Sequence, residues 1–150
     1  MNRTVIYLLF IIGVVGIGSL VGLFTPTGDW YQGLQKPSFN PPGWIFGPVW
    51  TVLYILIGIA GARTWIEARN SARMKTWFVQ MVLNFLWSPA FFGLESPLLA
   101  LIVIVPMLVS IIVFIRQAWQ PDRVSALCFL PYAAWVSFAT VLNLSILLLN

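Results

Sequence analysis

Five apolar runs, at approximately residues 5–24, 44–62, 74–94, 97–115 and 124–149, make up most of the chain. Each is long enough to cross a hydrocarbon layer about 30 Å thick as a helix. Inside that layer an isolated segment must satisfy its own backbone polar groups, which a helix does and a lone strand does not. The runs therefore predict an all-α integral membrane protein, a five-transmembrane-helix bundle forming one domain over residues 1–150. Composition removes the soluble alternative: 60% of the residues are hydrophobic and 8% are charged, against roughly a quarter charged in soluble domains. The first run exceeds a signal-peptide core in length and has no small-x-small cleavage site before the next loop, so it reads as a retained helix.

If all five runs cross, Arg3, Arg63, Arg69, Arg73, Lys75, Arg116 and Arg123 fall on one side, and only Lys36 falls on the other. By the positive-inside rule this places the N-terminus and both basic loops in the cytoplasm of a bacterial cell membrane. The net charge of +4 is then a topology signal, not the footprint of a nucleic-acid partner. The chain has no histidine, and Cys128 is its single cysteine. Zinc clusters, disulfide frameworks, Ser/His/Asp triads and histidine-ligated haem have no residues to build them. No charged residue lies near the middle of a run, which argues against an ion-coupled transporter.

Residues 25–43 form a connection too long for a simple turn, rich in Pro and Gly and carrying Trp30, Tyr31 and Phe39. A lid over the outer mouth of the bundle and a membrane-surface segment both fit this composition, with the aromatics favouring the lid. The short link at Glu95 and Ser96, followed by Pro97, predicts a Ser cap and antiparallel neighbours for the third and fourth runs. Pro48, Pro89, Pro106 and Pro131 fall within the runs and are expected to kink them. Gly18 with Gly22, Gly58 with Ala62, and Ala133 with Ser137 are small-xxx-small pairs that permit close helix approach, within one chain or across a dimer.

Aromatic and amide side chains populate the runs where charges are missing. Gln80, Asn84 and Ser88 recur at helical spacing and share one face. Interhelical hydrogen bonding explains them, and so does an apolar pocket with a few fixed polar groups. Trp30, Trp44, Trp65, Trp77 and Trp119 fit the interfacial belt by position. Trp50, Trp87 and Trp135 lie deeper, where packing and ligand stacking compete evenly.

The sequence Trp30-Tyr31-x-x-Leu34-x-Lys36-Pro37, then Pro41-Pro42, Gly47-Pro48-x-Trp50 and Leu53-Tyr54, resembles the translocator protein (TspO/MBR) family, the tryptophan-rich sensory proteins. Downstream, Gln80-x-x-x-Asn84-x-x-Trp87 with Phe91-Phe92-Gly93, and Pro131-Tyr132-x-x-Trp135 with Phe138-Ala139-Thr140 and Leu142-Asn143, continue the match over nearly the whole chain. The resemblance implies a five-helix bundle, often homodimeric, that binds porphyrins, haem-related tetrapyrroles, sterols and synthetic isoquinoline or benzodiazepine ligands beneath its first loop. Carried over residue by residue, it implies ligand contacts at Tyr31, Pro42, Trp50, Tyr54, Asn84, Trp87, Ala139 and Leu142. Trp50 and Trp135 match two tryptophans implicated in light-dependent porphyrin breakdown, so both are candidate catalytic residues. No metal or resident cofactor is implied; the tetrapyrrole is the ligand, with Lys36 as a partner for a propionate. Leu144 stands where animal members carry the Tyr of a sterol motif, and no basic residue follows Arg123, which puts sterol binding through that motif in doubt. Binding of a porphyrin or other lipophilic molecule is thus the leading expectation, with porphyrin degradation and passive carriage of apolar ligands as alternatives.

Overall fold

The computed structural model describes residues 2–150. Its helices are α1 (Arg3–Phe24), α2 (Asp29–Gln32), α3 (Phe46–Ala68), α4 (Ala72–Ser88), α5 (Pro97–Ala118) and α6 (Arg123–Leu149). α2 is a single turn inside the long first connection, and the other five form the bundle. Local chemistry sets most of their starts. The side chains of Asn2, Ser71, Ser96 and Asp122 each accept a backbone N–H from the first turn of α1, α4, α5 and α6, respectively, satisfying donors the helix cannot. The Ser96 cap and Pro97 start expected from sequence are both present, and α4 and α5 are neighbours along the bundle. Glu95, in the link, adopts the left-handed conformation at φ 52°.

The second run was expected to end near residue 62, but α3 continues to Ala68. Only Arg69–Ser71 separate it from α4, so the helix carries its polar last turns beyond the apolar stretch. Likewise α5 reaches Ala118 rather than stopping at 115.

α1, α3, α5 and α6 are each long and apolar enough to cross a membrane. α4 has 17 residues, roughly 26 Å of α-helix at 1.5 Å per residue, and a π-helical turn over Pro89–Gly93 extends it. The expected break at Pro89 takes this form: the Leu94 N–H reaches the Pro89 carbonyl at 2.8 Å and the Ser96 N–H reaches the Ala90 carbonyl at 3.2 Å. A proline has no N–H for the α ladder, and a wider turn is one way to accommodate the gap. Pro106 and Pro131 sit inside α5 and α6 as expected. Pro48 does not interrupt its helix. It occupies the first turn of α3, where an N–H would have no intrahelical partner to lose.

α3 is the central element, packed against α1, α4 and α6, while α5 lies between α4 and α6. Close approach depends on Gly18, Gly58 and Gly61, the last of which leaves room for the Trp77 and Phe10 rings. A Cβ on Gly58 would come within 2.8 Å of the Ile11 Cα, and one on Gly18 would overlap the Tyr54 ring. The Gly58 and Ala62 pair therefore packs within the chain. By contrast Gly22 has open space around it, and Ser137 is exposed with its hydroxyl turned back to the Ala133 carbonyl. The outer surface is lined with apolar side chains such as Leu8, Ile12, Val52, Val82, Ile102 and Val109, as expected where the surrounding medium is lipid.

At the end of the bundle carrying the short basic loops, Arg63 of α3 grips Asp122 through Nε at 3.2 Å and Nη2 at 2.9 Å. Burial pushes the Asp122 carboxyl upward, but hydrogen bonds from Arg63 and Ser125 outweigh it and hold the group below its ordinary range.

Candidate functional site

The Gln80–Asn84–Ser88 face of α4 turns into the bundle, and its two amides meet α3 and α6 through a chain of hydrogen bonds. The Tyr54 hydroxyl donates to Asn84 Oδ1 at 3.1 Å, and Asn84 Nδ2 donates to the Tyr132 hydroxyl at 2.7 Å. Tyr132 in turn donates to Gln80 Oε1 at 2.8 Å, and Gln80 Nε2 returns to the Trp77 carbonyl. Gln80 and Tyr132 are fully buried. Such a network is favourable only when every member is paired, and here each side chain satisfies the next. Ser88, at the same face one turn on, shares a 2.6 Å hydrogen bond with Thr25 at the end of α1.

Aromatic rings surround this polar spine. Trp50 packs against Tyr54 and Tyr132, with ring centroids 5.3 and 6.4 Å away. Trp135, one turn beyond Tyr132 on α6, lies edge-on to Phe46 at 5.7 Å and against Phe138 at 5.8 Å. Leu142 is buried on the same helix, and Ala139 packs against the main core. Trp50, Tyr54, Trp87 and Trp135 all border that one core, although the two candidate catalytic indoles face different aromatic partners.

Trp87 links the core to the long connection. Its indole N–H donates to Asn143 Oδ1 at 3.0 Å, while Asn143 Nδ2 donates to the Pro97 carbonyl, tying α4, α5 and α6 together. The Trp87 ring stacks on Phe91 of the π turn at 5.1 Å. From the connection, Trp30 meets Phe91 and Tyr31 meets Phe92, at 5.6 and 5.3 Å. Further along, Phe39 reaches Phe138 at 6.1 Å. The connection is thus a lid packed on the bundle at two places rather than a strand lying free on the surface. Asn150 holds it at a third place: its amide accepts from the Gln35 N–H at 3.1 Å and donates to the Gln35 carbonyl at 2.9 Å. Lys36 stands 4.5 Å over the Tyr31 ring, with its ammonium directed at the Gln32 and Leu34 carbonyls.

Of the positions carried over from the resemblance, the structure brings Trp50, Tyr54, Asn84, Trp87, Trp135, Ala139 and Leu142 to the interior between α3, α4 and α6 or to its edge. Tyr31 is brought over the π turn. Pro42 is set apart, exposed at the entry to the 3₁₀ turn Gly43–Ile45. Trp77 corrects the belt assignment. It is only 3% exposed, and its N–H donates to the Ile57 carbonyl at 3.0 Å, so it is a packing residue between α4 and α3. Trp44 and Trp119 remain exposed. Tyr132, the hub of the network, was absent from the expected site; its position one helical turn before Trp135 was the available signal.

Comparison with known proteins agrees with this architecture over nearly its full length. The chain is 44% identical to the tryptophan-rich protein TspO of Archaeoglobus fulgidus, over 93% of this chain and 94% of that one. It is 38% identical to the tryptophan-rich protein TspO of Chlorobaculum tepidum, over 100% and 99%. It is 36% identical to the human translocator protein, over 85% and 80%. The TspO/MBR family model matches residues 9–149, a stretch that runs from within α1 to the end of α6 and includes the lid, and the chain therefore belongs to the TspO/MBR family.

Proposed function

We propose that this protein binds a flat, lipophilic ligand, a porphyrin or related tetrapyrrole, in the aromatic interior between α3, α4 and α6 beneath the lid. The observation that carries this reading is the convergence of Trp50, Tyr54, Trp87 and Trp135 on one core, roofed by a lid whose own rings complete the aromatic wall. Aromatic faces suit a planar macrocycle, and the few polar groups are fixed in place by one another. With no histidine in the chain, a macrocycle held by its faces fits better than a haem held by an imidazole. Tyr31 would close the pocket from the lid, and Ala139 and Leu142 would border it from α6. The protein would sit in a bacterial cell membrane with its N-terminus cytoplasmic, as a homodimer.

Protoporphyrin titration of the detergent-purified protein, read by tryptophan quenching in the dark, tests the proposal. Saturable quenching that weakens in a Trp50→Phe, Trp135→Phe double variant supports it, and non-saturable quenching overturns it. The presence of two indoles on the same core favours a second reading, light-dependent degradation of the bound porphyrin. Loss of the porphyrin absorbance under illumination in wild type, but not in a variant that still binds, distinguishes degradation from binding alone. Carriage of apolar ligands across the bilayer is the third reading, and reconstituted liposomes showing no protein-dependent ligand movement would remove it.

A further inference from the structure

We infer that the protein holds an anionic phospholipid at its basic end, with the phosphate on the Arg73 guanidinium and a headgroup hydroxyl on the Gln117 amide, the chemistry of phosphatidylglycerol. Arg73, the second residue of α4, is only 7% exposed. Its Nη1 has no hydrogen-bond partner. Among the described residues the one ion pair is Arg63 with Asp122, so no carboxylate neutralises Arg73. Burying a charge is costly unless it is paired and hydrogen-bonded, and here the chain itself supplies no counter-ion.

The other cations of this end are placed differently. Arg63 grips Asp122, while Arg69 and Arg123 stand over the rings of Trp65 and Trp119 at 5.5 and 4.1 Å. Arg3, Lys75 and Arg116 are exposed, where water or headgroups hydrate them. Only Arg73, among the described residues, is a cation both buried and without a counter-ion. Its place in the helix adds to the cost. The start of a helix carries a partial positive charge, which repels a cation and draws an anion, and the first turn of α4 has no acidic residue. A phosphate beside Arg73 is therefore stabilised by the guanidinium and the helix end together.

The end of α5 supplies the second feature. α4 and α5 pack as antiparallel neighbours about a short link, which brings the last turn of α5 to the level of the first turn of α4. In that last turn Gln117 Oε1 is buried and unpartnered. It is an acceptor and calls for a donor, which a phosphodiester oxygen is not and a headgroup hydroxyl is. A phosphate ester with a hydroxylated headgroup answers both unpaired atoms. An ethanolamine headgroup also brings donors, but its ammonium would enter the end where every basic residue except Lys36 gathers against two carboxylates, Glu67 and Asp122. Glu67 is exposed and Asp122 is taken by Arg63. Ala72 is exposed and Gln117 half-buried, so a headgroup has an approach from the membrane surface, where basic helix ends recruit anionic lipids.

Native mass spectrometry of the full chain, delipidated in detergent, measures its affinity for four lipids with matched acyl chains: phosphatidylglycerol, phosphatidylethanol, phosphatidylethanolamine and phosphatidylcholine. Wild type should prefer phosphatidylglycerol to phosphatidylcholine by about tenfold, the scale of one charge-assisted contact. It should prefer phosphatidylglycerol to phosphatidylethanol, which lacks the hydroxyls, by about threefold. Arg73→Gln should bring the first preference to within about twofold, and Gln117→Leu should abolish only the second. Lys75→Gln, the same charge change at an exposed neighbour, should leave both in place. Thermal unfolding in mixed micelles containing phosphatidylcholine is the folding control. There Arg73→Gln should melt no lower than wild type, because it removes an unpaired buried charge, and added phosphatidylglycerol should raise the melting temperature of wild type alone. Equal wild-type affinity for phosphatidylglycerol and phosphatidylcholine overturns the inference without recourse to any variant. An equal loss of preference in Lys75→Gln assigns the effect to diffuse charge and overturns the site. Equal affinity for phosphatidylethanolamine overturns the headgroup, and equal stabilisation by inorganic phosphate at matched ionic strength overturns the lipid as its source. An Arg73→Gln protein that melts below wild type in phosphatidylcholine overturns the premise that this guanidinium lacks a partner within the chain.

Discussion

Replacing Tyr132 with Phe removes one oxygen and leaves a fully buried ring in place. That oxygen accepts from Asn84 Nδ2 at 2.7 Å and donates to Gln80 Oε1 at 2.8 Å, so the change strands one donor and one acceptor. Neither has a path to water, since Gln80 is 0% and Asn84 5% exposed. Interhelical hydrogen bonds within membrane bundles average about 0.6 kcal/mol and reach about 1.7, because the unfolded chain in lipid finds other partners. Two such bonds give an expected loss of about 1–3 kcal/mol. The upper part of that range applies because the stranded amide groups are held, Asn84 by Tyr54 and Gln80 by the Trp77 carbonyl, and are not free to seek new partners. Reversible unfolding in mixed micelles, titrated with a denaturing detergent and followed by far-UV circular dichroism, measures the difference. Combining Tyr132→Phe with Gln80→Leu removes the stranded acceptor together with its partner, so the double variant should lose less than the sum of the two single changes. A Tyr132→Phe protein within about 0.3 kcal/mol of wild type would refute the view that this network stabilises the bundle.

Gly58→Ala forces a Cβ against the backbone of Ile11 and should cost about 1–3 kcal/mol in the same assay, whereas Gly22→Ala, with nothing within 4 Å, should be neutral; equal effects would contradict the α1–α3 packing. Asp122 is held below the usual carboxyl range, so its stabilising effect is complete above an unfolded value of about 3.9 and is lost as pH falls through the lower folded value. The melting-temperature gap between wild type and Asp122→Asn should therefore be widest near neutral pH and narrow below about pH 4, and a gap independent of pH would exclude the Arg63 pairing as its source. Asn150→Ala removes both side-chain contacts to Gln35; amide exchange at Gln35 should accelerate about fivefold to tenfold, the scale of an exposed hydrogen bond, with the exchange of α5 unchanged. Unaltered exchange at Gln35 would show that Asn150 does not hold the lid.

The spans, their order and the Ser96–Pro97 start of α5 were legible because they rest on local chemistry. A run of some twenty apolar residues has no other way to satisfy its backbone in lipid, and a Ser followed by Pro caps the helix it begins. The inward face of α4 was legible for the same reason, since amides four residues apart must share a side. Tertiary structure decided what those residues meet. Sequence position placed Trp77 at the membrane boundary, but the glycine at 61 opens space on α3 that its ring fills. Pro89 announced a break, and only the fold determined that it becomes a π turn whose Phe91 receives both Trp87 and the lid. Tyr132 became the hub because α6 sets its hydroxyl between Asn84 and Gln80 of α4, with Tyr54 of α3 reaching the same Asn84, and Trp135 was left with an unpaired N–H because its neighbours from α3 and α6 are phenyl rings. Periodicity along one helix states which residues share a face; which polar atoms find partners depends on distances between helices, and only packing fixes those.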